Sequence, residues 1–289
     1  MNGGGVAAFA AAGAALSAAV AISIVARNQV RRRRQNQAHA RVRPILFGIL
    51  DGGAIDRRTI DALDPFEQRA LDAQAHSLLP KLRGQEKESL ARLLDRRGAV
   101  QAAKLRTRSR RPSARAEATE FLGQSGSPSA LNNLLGLLND PKPEVRWAAA
   151  RGLGEIGDPV AVSPLLGSLE GPRPIPVDVV ADAVFKIRDC PISVLRQGLK
   201  SQSAPVRAVT VELLGRFQAV AVSAEIIERL EDDPSVEVRA RAARALGRVG
   251  TPRAIDPLVS SFGDAPVALR AQIVWALKEI GVPEAVPSH

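Results

Sequence analysis

The chain has 289 residues, with 40 Lys and Arg against 30 Asp and Glu, and a formal net charge of +10. The charge is local: residues 1–43 hold seven arginines and no acid, so the other 246 residues carry only +3 and the surface as a whole is not strongly basic. A single cysteine, Cys190, excludes an intrachain disulfide and reads as a small core or turn residue. Abundant alanine, and arginine well in excess of lysine, suggest a bacterial source.

Val6 to Ala26 is a run of 21 residues without a charge. As a helix it spans about 31 Å, enough for a hydrocarbon core of about 30 Å. Phe9, Leu16, Val20, Ile22, Ile24 and Val25 supply most of its apolar drive. Arg27 and the tract Arg31, Arg32, Arg33 and Arg34 follow it directly, then Arg41 and Arg43. This order predicts a single transmembrane anchor over 1–26 and an arginine-rich juxtamembrane linker over 27–43. The positive-inside rule then puts the N-terminus outside the cell membrane and the remaining chain in the cytoplasm. A cleaved signal peptide would carry its charge before the apolar run, not after it. A soluble or peripheral helix is the other alternative. The tract has a bland topogenic role against anionic lipid headgroups, at about 1 kcal/mol per arginine. Its rival role is binding nucleic acid or an acidic partner. The adjoining span favours lipid, and nucleic acid is not expected as a partner.

Residues 44–112 are helical in pattern but irregular, and read as an N-terminal cap or as degenerate repeats. Asp64-Pro65-Phe66 opens a stretch with Leu71, Ala75, Leu78 and Leu79; after Pro80 and Gly84, Leu90, Leu93 and Leu94 continue it. A second basic cluster, Lys104, Arg106, Arg108, Arg110, Arg111 and Arg115, follows. It reads either as a solvated loop or as a docking site for an acidic or phosphorylated partner. No aromatic is interleaved with it, so base stacking lacks support.

From 113 to 289 one phrase recurs about every 31 residues. Val145-Arg146 is followed by Ala149, Leu153, Ile156 and Gly157; Val238-Arg239 by Ala242, Leu246, Val249 and Gly250; Leu269-Arg270 by Ile273, Leu277, Ile280 and Gly281. Val206-Arg207 heads a looser copy with Leu214 and Phe217, and Ala114 to Leu138 forms an earlier one around Arg115. A hidden copy runs from Pro176 to Leu199, with Val177 in the arginine slot and Val180, Val184 and Ile187 on its stripe. Counted from the arginine, apolar residues fall at −1, +3, +7 and +10, one face of an α-helix. A Gly-x-Pro turn ends that helix, as at Gly157-Asp158-Pro159. A second apolar set follows near +19 and +23: Leu165 and Leu169, Ile226 and Leu230, Leu258 and Phe262. Asp-Pro often precedes the next first helix, where the aspartate can accept from a free N–H and proline fits the first turn. The unit is helix, turn, helix, loop, in six copies of which the last is truncated. That predicts an all-α stacked solenoid.

The phrase Asp-Pro-x-x-x-Val-Arg-x-x-Ala…Leu-Gly-x-Ile-Gly-Asp-Pro-x-Ala, carried best by Asp140 to Ala161 and Asp233 to Ala254, resembles the short HEAT-like repeats of the phycobilin-lyase type. The resemblance covers residues 113–289 and implies an α-solenoid. It leaves activity open, because the family spans bilin lyases, a di-iron hydroxylase and adaptors. For anchored bacterial chains it also implies association with a membrane glycosyltransferase or envelope-assembly enzyme.

Chemistry is sparse. The three histidines, His39, His76 and His289, have no metal-ligand neighbour at helical spacing, and no His-Glu pair occurs. Residues 77–288 hold no histidine for a nucleophile–base pair, and Gly3-Gly4-Gly5 precedes an apolar run, not a nucleotide fold. Neither an enzyme nor a metal or cofactor site is expected. An arginine six residues after an aspartate, as in Asp140/Arg146 and Asp233/Arg239, suits a structural ladder of ion pairs between neighbouring repeats. Trp147 at +1 and Trp275 at +5 lie off the apolar stripe, either as partner-binding anchors or as packing between repeats. Candidate partner-binding residues are therefore Trp147, Trp275, Arg106, Arg108, Arg110 and Arg111. The flank of the truncated last repeat is a further candidate docking surface. The expected function is a membrane-anchored scaffold for a protein partner. A bilin-lyase-like enzyme or subunit and a soluble binder of nucleic acid or acidic partners are the alternatives.

Overall fold

A computed structural model describes residues 33–52 and 57–281, together with Ser23, Arg27, Gln29 and Val30. The expected span over 6–26 lies outside the described residues apart from Ser23, as do Arg31 and Arg32. Among the described residues no helix is long and apolar enough to cross a membrane, and no strand occurs.

The chain divides into two compact units after Ala99. The first contains α1 (33–50), α2 (Arg57–Asp61), α3 (Pro65–Leu78) and α4 (Gly84–Arg96). Ala38, Val42, Leu46 and Ile49 recur every three or four residues along α1 and are buried, so one face of that helix makes core. A capping box starts α3: the Asp64 carboxylate accepts from the Phe66 and Glu67 N–H groups, and Glu67 accepts from the Asp64 N–H. Glu67 is itself buried and bound by Arg41 at 2.7 Å. Leu90, Leu93 and Leu94 turn inward from α4.

The second unit begins at Val100, one residue into α5 (Ala99–Arg106), so the boundary falls inside the segment 44–112 that the sequence treats as one block. Paired helices follow. The first helices are α6 (Pro112–Ser125), α8 (Pro143–Ile156), α10 (Val177–Lys186), α12 (Ala204–Arg216), α14 (Val236–Val249) and α16 (Val267–Ile280). The second helices are α7 (Leu131–Leu137), α9 (Val162–Gly167), α11 (Ile192–Gly198), α13 (Ser223–Asp232) and α15 (Ile255–Ser260). Each first helix packs on the next, which is the solenoid the 31-residue period predicts. The stripe is buried as expected at +3 and +7, including Leu122, Leu153, Val184, Leu214, Leu246 and Leu277. At +10 Ser125 and Ile187 are buried, whereas Ile156, Phe217, Val249 and Ile280 are half-buried at the helix ends. Left-handed glycines stop the helices at Gly157, Gly250 and Gly281. Gln218 occupies the equivalent position after α12 with φ of 50°, so a side chain is held where its siblings use glycine.

Close stacking depends on a residue pair invisible to the apolar stripe. Gly123 abuts Gly152, Gly154 abuts Ala183, Gly215 abuts Ala245 and Gly247 abuts Ala276, each glycine at +8 against a small residue at +6 of the next copy. A Cβ on Gly154 would sit 2.8 Å from the Ala183 Cα, and one on Gly247 2.7 Å from the Ala276 Cα. Phe185 and Leu213 hold those positions at the remaining junction. There α10 and α12 share the least extensive contact of any consecutive first helices. The hidden copy therefore interrupts the lattice as well as the sequence pattern.

Candidate protein-interaction surface

The ladder forms, through partners other than those the six-residue spacing suggests. Arg115 grips Asp140 with Nε to Oδ2 at 2.8 Å and Nη2 to Oδ1 at 3.0 Å; Arg207 grips Asp233 likewise at 2.7 and 2.9 Å. Arg146 and Arg239 instead donate Nη1 to the main-chain carbonyls of Asp140 and Asp233, at 3.0 and 2.8 Å. Each aspartate thus links the arginine of one copy to that of the next. Its Oδ1 also accepts from the N–H two residues on, Lys142 or Ser235, one residue before helix α8 or α14 begins. The Asp-Pro therefore closes a turn ahead of the helix and is not the helix cap itself.

Burial alone would raise the carboxyls of Asp140 and Asp233. The hydrogen bonds from Arg115 and Arg207, the local N–H groups and the neighbouring guanidinium charges outweigh it and hold both below the usual carboxylate range. Hydrogen bonds to the aspartates raise Arg115 and Arg207 in turn. Both rungs are charged, with the aspartates buried and the arginine side chains 13% and 8% exposed.

Away from the ladder, α10, α12, α14 and α16 enclose a depression of about 530 Å³ lined by Asp178, Asp182, Glu212, Arg241, Arg244 and Arg248, among others. Its acids and bases are only partly matched. Arg216 pairs with Asp182 at 3.0 Å, while Arg241 bridges Glu212 and, at 2.7 Å, Glu237. Arg244 and Arg248, one turn apart on α14, have no carboxylate partner among the described residues. Burial, with the charges of Arg244 and Arg216, lowers the Arg248 guanidinium against the opposing charge of Glu212. At the interrupted junction Phe185 is 40% exposed. Arg216 lies 3.8 Å above its ring, and Phe217 packs beside it at 5.4 Å.

The sequence-derived candidates scatter. Trp275 lies between repeats, its ring edge against the Gly247 backbone and Arg244 5.8 Å over its face. It packs α16 on α14 and touches the depression only through Arg244. Trp147 is half-buried, and its Nε1 is buried without an acceptor. Arg106 pairs with Glu117 at 3.0 Å on the surface, worth little in stability. Arg108, Arg110 and Arg111 are exposed. Arg27, Arg33 and Arg34 are exposed as well. Sequence reasoning missed the depression, because its residues come from four helices about 31 residues apart at positions that carry no repeating residue type. It also missed a groove of about 560 Å³ between α1 and α3, lined by His39, Arg43, Leu46, Phe47, Gln74 and Leu78. No group of metal-ligating side chains occurs among the described residues.

Among solved structures, the chain is similar to the complex of CpcE and CpcF of phycocyanin lyase from Nostoc, at 18% identity and a TM-score of 0.35 over 74% of this chain and 94% of that one. It is similar to human deoxyhypusine hydroxylase at 21% identity and a TM-score of 0.34 over 72% and 95%. An engineered protein matches at 18% identity and a TM-score of 0.40 over 83% and 76%. No curated protein matches the sequence. The model of the family described as HEAT repeats matches residues 99–183 and 192–278, two blocks that part at the junction where Phe185 interrupts the lattice. The chain belongs to the HEAT-repeat family.

Proposed function

We propose that this chain is a scaffold, without chemistry of its own, whose repeats bind a protein partner at the cytoplasmic face of a membrane. The observation that carries the binding role is the depression along α10, α12, α14 and α16. Arg244 and Arg248 offer it guanidinium groups without carboxylate partners among the described residues, and aromatic side chains flank it. Arginine and aromatic anchors around a concave, partly desolvated patch are the chemistry of interface hot spots. The anchor rests on the uncharged run from Val6 to Ala26 and the arginines behind it. In this reading the tract meets anionic headgroups and the partner is a membrane enzyme, a glycosyltransferase or an envelope-assembly protein.

Affinity purification of the tagged full-length chain from its own membranes tests this, beside two further baits. One lacks residues 1–43; the other carries Arg244→Ala and Arg248→Ala. One partner should follow the full-length chain and be lost from the arginine variant. Deleting 1–43 should release the bait from the membrane fraction. Equal recovery by the arginine variant would sink the surface assignment. A full-length bait that is soluble and retains nucleic acid would sink the anchor and favour the arginine tract as a nucleic-acid binder.

A further inference from the structure

Two arginines of the repeats, Arg146 and Arg270, hold a buried Nε without an acceptor, and the filled rungs give a control for Arg146. At Arg115 and Arg207 both edges of the guanidinium are engaged: Nε and Nη2 hold a carboxylate, and Nη1 donates to two main-chain carbonyls, Ser109 and Arg110 or Ser201 and Gln202. Arg146 reproduces the second half, with Nη1 3.0 Å from the Asp140 carbonyl and 3.3 Å from that of Pro141. The first half is missing. The gripping carboxylate belongs to the residue six before the next copy's arginine slot, which is Asp140 and Asp233 at the filled rungs; the exposed Asp264 holds that place for Arg239, with no hydrogen bond or ion pair between them. For Arg146 that residue is Gly171, with φ of 88°, and a Cβ there would meet nothing within 4 Å.

The result is an arginine only 7% exposed whose Nε is buried with no acceptor. Such a donor costs folding free energy until something accepts from it. The adjoining rung shows that the lattice tolerates a complete loss, since Val177 and Ser201 replace both arginine and acid there. At Arg146 only the acid has gone. The nearby acid in sequence, Glu170, is engaged by the Ser201 hydroxyl at 3.2 Å. Residues 170–174, the loop that holds Gly171, are exposed.

We infer that the Nε–Nη2 edge of Arg146 is a socket for a carboxylate carried by a protein partner, seated where Asp140 and Asp233 sit for Arg115 and Arg207. The socket deepens the scaffold reading and rests on it. A planar fork selects a carboxylate through two parallel N–H donors, which a lysine ammonium cannot present. The partner would therefore bring an aspartate or glutamate on a segment able to reach over the Gly171 loop.

The test titrates the purified full-length protein with a labelled acidic hexapeptide, alternating glutamate and alanine, and separately with acetate. In protein labelled with ¹⁵N-arginine, the Arg146 Nε–H resonance should shift as the peptide saturates. Arg146→Lys should weaken peptide binding about tenfold, the value of one charge-assisted hydrogen bond. Arg253→Lys, at an exposed arginine outside the basic cluster and the depression, should leave it unchanged. An unmoved Arg146 resonance at saturation, or unchanged binding by Arg146→Lys, overturns the socket. If Arg146→Lys fails to fold, the resonance of the native protein decides. Acetate shifting that resonance at the concentrations where the peptide does would assign the socket to a free carboxylate and overturn the partner as its source. The Arg244 and Arg248 baits test the scaffold separately: a partner lost from that variant, while the Arg146 resonance of the native protein stays still, sinks the socket alone.

Discussion

Replacing Asp233 by alanine takes one carboxylate out of the most enclosed rung of the ladder. Asp233 is fully buried and the Arg207 side chain is 8% exposed. The substitution leaves the Nε and Nη2 of Arg207 and the Ser235 N–H without acceptors. Breaking a buried pair from one side costs about 3–5 kcal/mol, because the surviving charge stays desolvated. With a urea slope of about 2 kcal/mol per molar, that lowers the unfolding midpoint by roughly 1.5–2.5 M. Urea denaturation followed by helical circular dichroism measures it. The double replacement Arg207→Met with Asp233→Leu should recover most of the loss, since removing both charges abolishes the desolvation penalty. The chain carries a natural precedent at Val177 and Ser201. A cost below about 1 kcal/mol for Asp233→Ala, or a double variant less stable than the single one, would refute the reasoning.

Other expectations follow from particular residues. Gln218→Gly should stabilise by about 1 kcal/mol in the same denaturation experiment, because it relieves a left-handed backbone that the sibling copies give to glycine. Gly123→Ala should cost about 1–3 kcal/mol, since its methyl would strike the Gly152 Cα, whereas Gly136→Ala on exposed α7 should gain about 0.5–1 kcal/mol. Asp140 and Asp233 titrate below their unfolded values, so their contribution is full above about pH 4 and disappears as pH falls through the folded pKa. Midpoints measured down the acid limb should therefore fall steeply in the native protein and less so in Asp233→Asn. Burial pushes the Cys190 thiol up to about 11. Alkylation at pH 8 should accordingly run roughly a hundredfold slower in the folded than in the unfolded chain, and equal rates would show the thiol to be solvated.

The repeat is legible in the amino-acid order alone. Periodic burial at Val145, Ala149 and Leu153 and their counterparts follows from helical geometry alone, and glycine at Gly157 and Gly250 fixes where those helices stop. The same order also marked the aspartates and arginines of the ladder, because Asp140 with Arg146 and Asp233 with Arg239 recur at one spacing. Which arginine takes which carboxylate was decided only by the stacked structure. Arg115 reaches Asp140 across 25 residues, a separation no local period encodes. The same holds for Gly123 against Gly152 and for the depression lined by Asp178, Glu212, Arg244 and Gln272, whose members meet only when successive copies pack. Local periodicity specifies what each repeat buries against itself. The contacts between copies depend on side-chain shape and charge at positions the period leaves unconstrained, so the candidate binding surface emerges only in three dimensions.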